Sequence, residues 1–464
     1  MAIFIILSIF ATGLALIATE CVTKVNKAAV AMFLGVICWL FYIGYGTSFV
    51  ISEHQIDFLS YLSAHGISET SVRDFIADNV FFRYVARAAG IVLFLLGTMT
   101  IVSVLNGNGC FDFIQEWLRT RSARRFAIIL TGITFILSAN LDNLTTVCLM
   151  LSIVHTMVAD TRQRMMLGAL VVVAAACGGA FTVIGDVTSL ALWTHGLISP
   201  TTYAAQVVLP SVAALVTILL LMLKSMPRHL RLMQTAPPYR GDDTILTRTQ
   251  RLIMLIVGIG GLWFIPTFHR ITLLPPFLGA LCVLSLLWIV HEICNARLLQ
   301  SGQMTRTRQP MALQFLSMQH ILFYIGITLA LGAINETGIF DTLFEWSTSK
   351  VNNVYAISGI MGLLSAVFNN VTMLLCNIAV YTPDAVEAVP EIYAHYDNGG
   401  VFWPLLSYTT AVGSCLLCIG SMSGFALMRM EGASLRWYVR HVSGKVLAGF
   451  LVGLIVFYVT NQYL

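Results

Sequence analysis

The chain has 464 residues, of which 58% are hydrophobic and only 10% charged, where soluble domains carry roughly a quarter charged residues. With a mean hydropathy of +0.83, the composition excludes a soluble domain on a single anchor and requires many membrane crossings. The net charge of +4 is too small and too dispersed for nucleic acid to be a partner.

The first nineteen residues are apolar, without a basic leader or a small-x-small cleavage site. They read as a span, not a cleaved signal peptide. Runs long enough to cross, at roughly 17–25 residues each, lie at 2–19, 28–50, 84–105, 166–192, 201–223, 251–267, 273–291, 319–335, 401–428 and 442–463. Between the second and third, residues 51–83 mix Glu53, Asp57, Glu69, Arg73, Asp74 and Asp78 with apolar positions and predict an amphipathic surface helix. The segments 126–155 and 352–381 are each about 30 residues: too long for one ordinary span and too short for two. Irregular backbone at membrane depth needs protein or a water-filled cavity around it. A re-entrant helical hairpin satisfies both constraints.

Loop charge orients the chain. Arg119, Arg121, Arg124 and Arg125 precede the first hairpin; Lys224, Arg228, Arg231, Arg240, Arg248 and Arg251 fill the longest polar loop; Arg429, Arg436, Arg440 and Lys445 lie before the last span. Residues 382–400 instead carry Asp384, Glu387, Glu391 and Asp397 with no Lys or Arg. Basic loops in the cytoplasm place both termini outside and let the hairpins enter from opposite sides. The expected fold is an all-α polytopic membrane protein of two inverted-topology repeats. Each has five transmembrane helices and one re-entrant hairpin: 1–223 with the broken helix 166–192, then the basic connection 224–250, then 251–464 with the broken helix 401–428.

The repeats share a motif. Ser138-Ala139-Asn140-Leu141-Asp142-Asn143-Leu144-Thr145 returns as Ser365-Ala366-Val367-Phe368-Asn369-Asn370-Val371-Thr372. Each copy precedes an apolar run interrupted by glycine: Gly178, Gly179 and Gly185 in one, Gly413 and Gly420 in the other. Duplicated polar clusters paired with broken helices mark the ion and substrate site of inverted-repeat transporters. Asp142, with Asn143, Thr145 and Thr146, is the sharpest candidate, because a carboxylate at membrane depth is a functional-site hypothesis by default; it could equally cap a half-helix. Asp186, with Thr182 and Thr188, follows Gly185 at the second break of the run 166–192, as an ion ligand or as an ordinary cap. Asp142 and Asp186 are the Na⁺ candidates. Their counterparts Asn369 and Ser421 are uncharged, and Asn369, Asn370 and Thr372 offer oxygens but no titrating group near neutral pH. Asparagines also suit hairpin turns on their own account.

Other chemistry is absent from the pattern. No phosphate loop, nucleophile elbow or HExxH occurs, so no enzyme and no cofactor is expected, only transported ions. The ten cysteines, among them Cys38, Cys148, Cys177, Cys282, Cys376, Cys415 and Cys418, read as small buried residues. His155, His195, His269 and His320 lack metal-ligand spacing and read as interfacial. Glu336 and Asp341 belong at the outer face, and Gly97-Thr98-Met99-Thr100 forms a packing face.

The motifs along nearly the whole chain resemble the NhaD-type sodium/proton antiporters of the ion transporter superfamily, which also holds arsenite and citrate permeases and dicarboxylate carriers. The likeness rests on Lys24 to Val30, Leu95 to Val102, Leu141 to Thr146, Gly178 to Thr188, and Phe402-Trp403 through Ile419-Gly420-Ser421 to Arg429-Met430-Glu431. It implies a homodimer in a bacterial inner membrane, with scaffold and transport domains in elevator-like motion and with membrane lipid and small inorganic ions as partners. The chain departs from the family pattern at Asn369 (usually Asp), Ala176-Cys177 (usually Asn-Ala), Val183 (usually Pro) and Ser103 (usually acidic). The sequence therefore predicts a secondary transporter exchanging Na⁺ or Li⁺ for H⁺. An anion permease using the half-helix ends at Asn143 and Asn370, and a transport-inactive membrane sensor, are the alternatives.

Overall fold

A computed structural model describes residues 2–227, 229–233, 246–295, 311–350, 353–381 and 395–463. Within them the chain is helical, and β-structure is limited to the isolated bridges Ser122–His229 and Val158–Leu232. Among the described residues eight helices are long and apolar enough to cross a membrane; the protein is a multi-pass membrane protein.

In chain order the principal helices are α1 (Ala2–Ala18), α2 (Lys27–Gly44), α3 (Ser71–Gly107), α4 (Ala123–Ser138), α5 (Asn143–Met157), α6 (Thr161–Ala180), α7 (Val187–Thr194) and α8 (Pro200–Leu223). They continue with α9 (Arg248–Thr272), α10 (Pro276–Cys294), α11 (Met311–Asn335), α12 (Val354–Phe368), α13 (Asn370–Tyr381), α14 (Phe402–Gly413), α15 (Met422–Glu431) and α16 (Leu435–Gln462).

The two awkward segments are helical hairpins. α4 and α5 have 16 and 15 residues, so each is about 24 Å long at 1.5 Å per residue, short of the roughly 30 Å hydrocarbon core. α12 and α13 are no longer, at 15 and 12 residues. The runs at 166–192 and 401–428 are interrupted at 181–186 and 414–421.

Small residues set the packing. α2 runs along α11, and a Cβ on Gly326 would collide with the backbone of Ala31 and Met32, so only glycine permits that approach. α3 packs on α10 with Gly97 against Ala280, bearing out the packing role of that face. α8 packs on α16, α4 on α6 and α12 on α14. Lipid-compatible side chains such as Phe33, Leu40, Trp263, Phe264, Trp288 and Ile293 are exposed on the outside of the bundle.

Buried charges tie distant segments together. Glu431 has a fully buried side chain and accepts from Arg164 Nε at 2.7 Å and faces His155 Nδ1 at 3.0 Å, joining α15 to α5 and α6. Lys27 pairs with Glu20 at 3.9 Å and lies 4.9 Å from the Phe425 ring centroid. Glu336, just past α11, meets His54 Nε2 at 2.5 Å and Tyr84 Oη at 2.7 Å. That hydrogen bond holds the His54 imidazole above its ordinary value.

Three expectations need correction. Residues 51–83 do not form one surface helix: Gly46–Glu53 and Gln55–His65 are separate short helices, the latter with no buried residue, and 71–83 already belong to α3. At 37 residues α3 is about 55 Å long, so its polar first turns extend past the hydrocarbon. Cys282 is exposed, not buried, which an apolar thiol tolerates on a lipid-facing surface. His320 is not interfacial but 4% exposed in the interior. Arg228, Arg240, Asp384, Glu387 and Glu391 lie outside the described residues.

Candidate functional site

The two hairpin turns are built differently from related sequence. In the first, residues 139–142 leave the helix and Asp142 adopts an extended ψ of 141°. Its Oδ2 accepts from Leu144 N at 3.1 Å and Thr145 N at 3.3 Å, capping α5. In the second, the single residue Asn369 turns the chain with φ 76° and ψ 140°, outside the left-handed helical region and in backbone space that residues other than glycine rarely adopt. Its Oδ1 accepts from Val371 N at 3.0 Å.

The serine opening each motif does the same work twice. Ser138 Oγ reaches the carbonyl of Ala175 at 2.8 Å, and Ser365 Oγ reaches that of Thr410 at 3.0 Å. Each hairpin is thereby pinned to the helix that breaks just beyond. At Gly178 and Gly413 the facing helix comes so close that any Cβ would strike the carbonyl of Phe135 or Gly362, which explains glycine at those two places.

The breaks leave polar groups at their ends. Asp186 precedes α7 and accepts the Thr188 hydroxyl at 2.8 Å. Ser421 precedes α15 and its Oγ accepts from Gly424 N at 3.0 Å. Thr182 turns away and donates to the Ala139 carbonyl at 2.7 Å. Within the second half Asn370 N donates to Gly420 O at 3.1 Å, and the halves meet where Asn370 Nδ2 donates to Asp186 Oδ2 at 3.4 Å.

A cavity of about 20 Å³ lies at this junction, walled by Asn143, Asp186, His320, Asn370, Ser414 and Ser421 among others. Roughly 10–15 Å³ on this measure holds one water, so the space fits one water or one dehydrated monovalent ion. Asp142, Thr145 and Thr146 are not in its lining; they form a separate polar cluster at the first hairpin turn. There Asp142 Oδ1 and Thr146 Oγ1 are buried without a partner, as are Asn369 Nδ2 and Thr372 Oγ1 at the second. Buried polar atoms are normally paired, so orphans gathered at two equivalent turns point to a ligand or water. Among the described residues no Lys or Arg pairs with Asp142 or Asp186. Uncompensated carboxylates this deep need a proton or a cation. The oxygens that line the cavity, from Asn143, Asp186, Asn370, Ser414 and Ser421, are of the kind that suits a hard cation.

Sequence reasoning missed His320, whose Nδ1 is buried without a partner. The available signal was an imidazole inside the apolar run 319–335, because ionisable residues, histidine included, are rare within membrane spans.

Interrupted helices and hairpin turns converging on buried polar groups within a polytopic bundle define a membrane transporter. The chain belongs to the citrate transporter family, CitMHS, whose family model matches residues 14–413. Sodium/proton antiporter 2 of Arabidopsis thaliana is 29% identical, covering 98% of this chain and 99% of its own length. Sodium/proton antiporter 1 of the same plant is 32% identical over 80% of this chain and 61% of its own length. The Na⁺/H⁺ antiporter NhaD of Vibrio cholerae is 26% identical over 81% and 79%.

Proposed function

We propose that this transporter exchanges Na⁺ or Li⁺ for H⁺, with Asp186 and Asp142 as the groups that carry either the cation or the proton. The observation that supports it most is the Asn370–Asp186 contact at 3.4 Å beside a one-particle cavity. A site that must neutralise a buried carboxylate with either ion, and that reorients only when neutralised, exchanges the two. Asn143, Asn370 and Ser421 supply oxygens at the cavity; Thr145, Thr146, Asn369 and Thr372 supply them at the turns. Thr188 orients Asp186.

The arrangement of inverted repeats over 1–223 and 251–464 rests on paired contacts. α2 with α11 and α3 with α10 are the same contact made once from each half, as are α4 with α6 and α12 with α14. We place the protein in a bacterial inner membrane as a homodimer, with both termini outside. Orientation is tested by single cysteines in a cysteine-free background. Asp397→Cys should react with an impermeant maleimide in intact cells and Ser225→Cys should not; the reverse would overturn the assignment.

The anion reading has one supporting feature, the helix N-ends at Asn143 and Asn370. Against it stand the Asp186 carboxylate in the same lining and a volume of about 20 Å³, too small for a tricarboxylate. Thermal stability separates the readings, because a ligand of the folded state raises Tm. Sodium should raise the Tm of the purified protein while potassium and citrate do not. Stabilisation by citrate alone would select the permease, and indifference to all three would select a transport-inactive protein.

A further inference from the structure

Two cavities follow one seam. α11 packs against α13, and both helices wall the ion cavity, the first through His320 and the second through Asn370 and Val371. A second cavity, of about 280 Å³, is walled by Tyr324, Thr328, Leu331 and Asn335 on α11 and by Leu375 and Ala379 on α13. His320, Tyr324, Thr328, Leu331 and Asn335 recur every three or four residues, and Val371, Leu375 and Ala379 every four. Each series is therefore one face of its helix, and one groove runs along both helices away from the ion cavity. Its far end is walled by Arg87, His195 and Asn398, the last in the stretch 382–400 that the loop charges put outside.

On each helix one step separates the two cavities: His320 to Tyr324, and Val371 to Leu375. Four residues rise about 6 Å, so the partition is one helical turn thick. Tyr324 is 1% exposed and Leu375 7%, and both side chains are bulky. Past them, Thr328 Oγ1 is buried without a partner, a group that a water or a passing ion would satisfy. The second cavity has room for several waters.

We infer that the groove between α11 and α13 is the outer access route to the ion cavity, and that Tyr324 and Leu375 are its gate. The inference rests on the cation-exchange reading above and gives the ion its path. Arg87 sets a positive charge at the mouth, so a cationic probe is the stringent one.

The test is the rate at which single cysteines, in the cysteine-free background, react in intact cells with the impermeant cation trimethylammonioethyl methanethiosulfonate. Thr328→Cys and Ala379→Cys, on the outer side of the gate, should be labelled readily. Val371→Cys, beyond it, should be labelled far more slowly. Adding Tyr324→Ala or Leu375→Ala should raise the Val371→Cys rate towards that of Thr328→Cys, and sodium should slow it again by filling the cavity. Two reporters and two gate variants keep the result readable if one protein fails to fold. Unlabelled Thr328→Cys and Ala379→Cys, in cells where Asp397→Cys is labelled, would overturn the route. A Val371→Cys rate that neither gate substitution changes would overturn the gate. Failure of the exchange reading looks different: the labelling pattern then holds, but neither sodium nor lithium slows Val371→Cys.

Discussion

Replacing Asp186 with Asn should abolish sodium-driven proton movement and sodium-dependent stabilisation while leaving the protein folded. The side-chain amide keeps an oxygen for the Thr188 hydroxyl and for Asn370, so the local geometry survives. What disappears is the carboxylate charge that the described residues contribute to the cavity lining. At an effective dielectric of about 20, a unit charge some 4 Å away is worth roughly 4 kcal/mol, or about a thousandfold in cation affinity. The same substitution removes a group able to take up the exchanged proton. Measured in proteoliposomes at matched reconstitution, flux should fall to the protein-free background. Wild-type flux in this variant would remove Asp186 from the mechanism.

Asp142→Asn is the second large effect, and its partner substitution makes it interpretable. Asp142 both caps α5 and carries an unpaired buried oxygen. Asparagine is as good a cap as aspartate, so Asp142→Asn should cost little stability, whereas Asp142→Ala should cost about 1 kcal/mol. If the carboxylate serves coupling, both variants lose cation-driven proton movement, although only the alanine variant is destabilised. If it serves only as a cap, Asp142→Asn transports normally. Tm in choline and flux, measured on the same preparations, separate the two roles.

Much of this site is legible in the amino-acid sequence, and the reason is length. A 30-residue apolar run with asparagines at its middle can be neither one span nor two, and 126–155 and 352–381 are hairpins. Gly185-Asp186 and Gly420-Ser421 mark interruptions because glycine lets a helix unwind, and the interruptions at 181–186 and 414–421 do end there. Contacts between distant segments are not legible in that way. Nothing in the spacing of Asn370 and Asp186 reveals that the second hairpin meets the first broken helix, since that depends on how the halves pack. The same packing puts Asp142 and Asp186 in different surroundings, although the sequence presents them as one set. Glu431 looks like an ordinary residue ahead of a basic loop until Arg164 and His155 arrive from another part of the chain. His320 escapes because a lone imidazole has no spacing to recognise.

The central claim is tested most directly by imposing a sodium gradient across proteoliposomes that contain the purified protein and an internal pH dye. With sodium high outside, inward sodium movement should carry protons out and make the lumen alkaline. The response should reverse when the gradient is reversed, appear with lithium, and be absent with potassium and in the Asp186→Asn variant. A lumen whose pH ignores sodium in either direction, at reconstitution levels where citrate or another carboxylate does move, would contradict sodium/proton exchange and leave the family's anion-permease chemistry in its place.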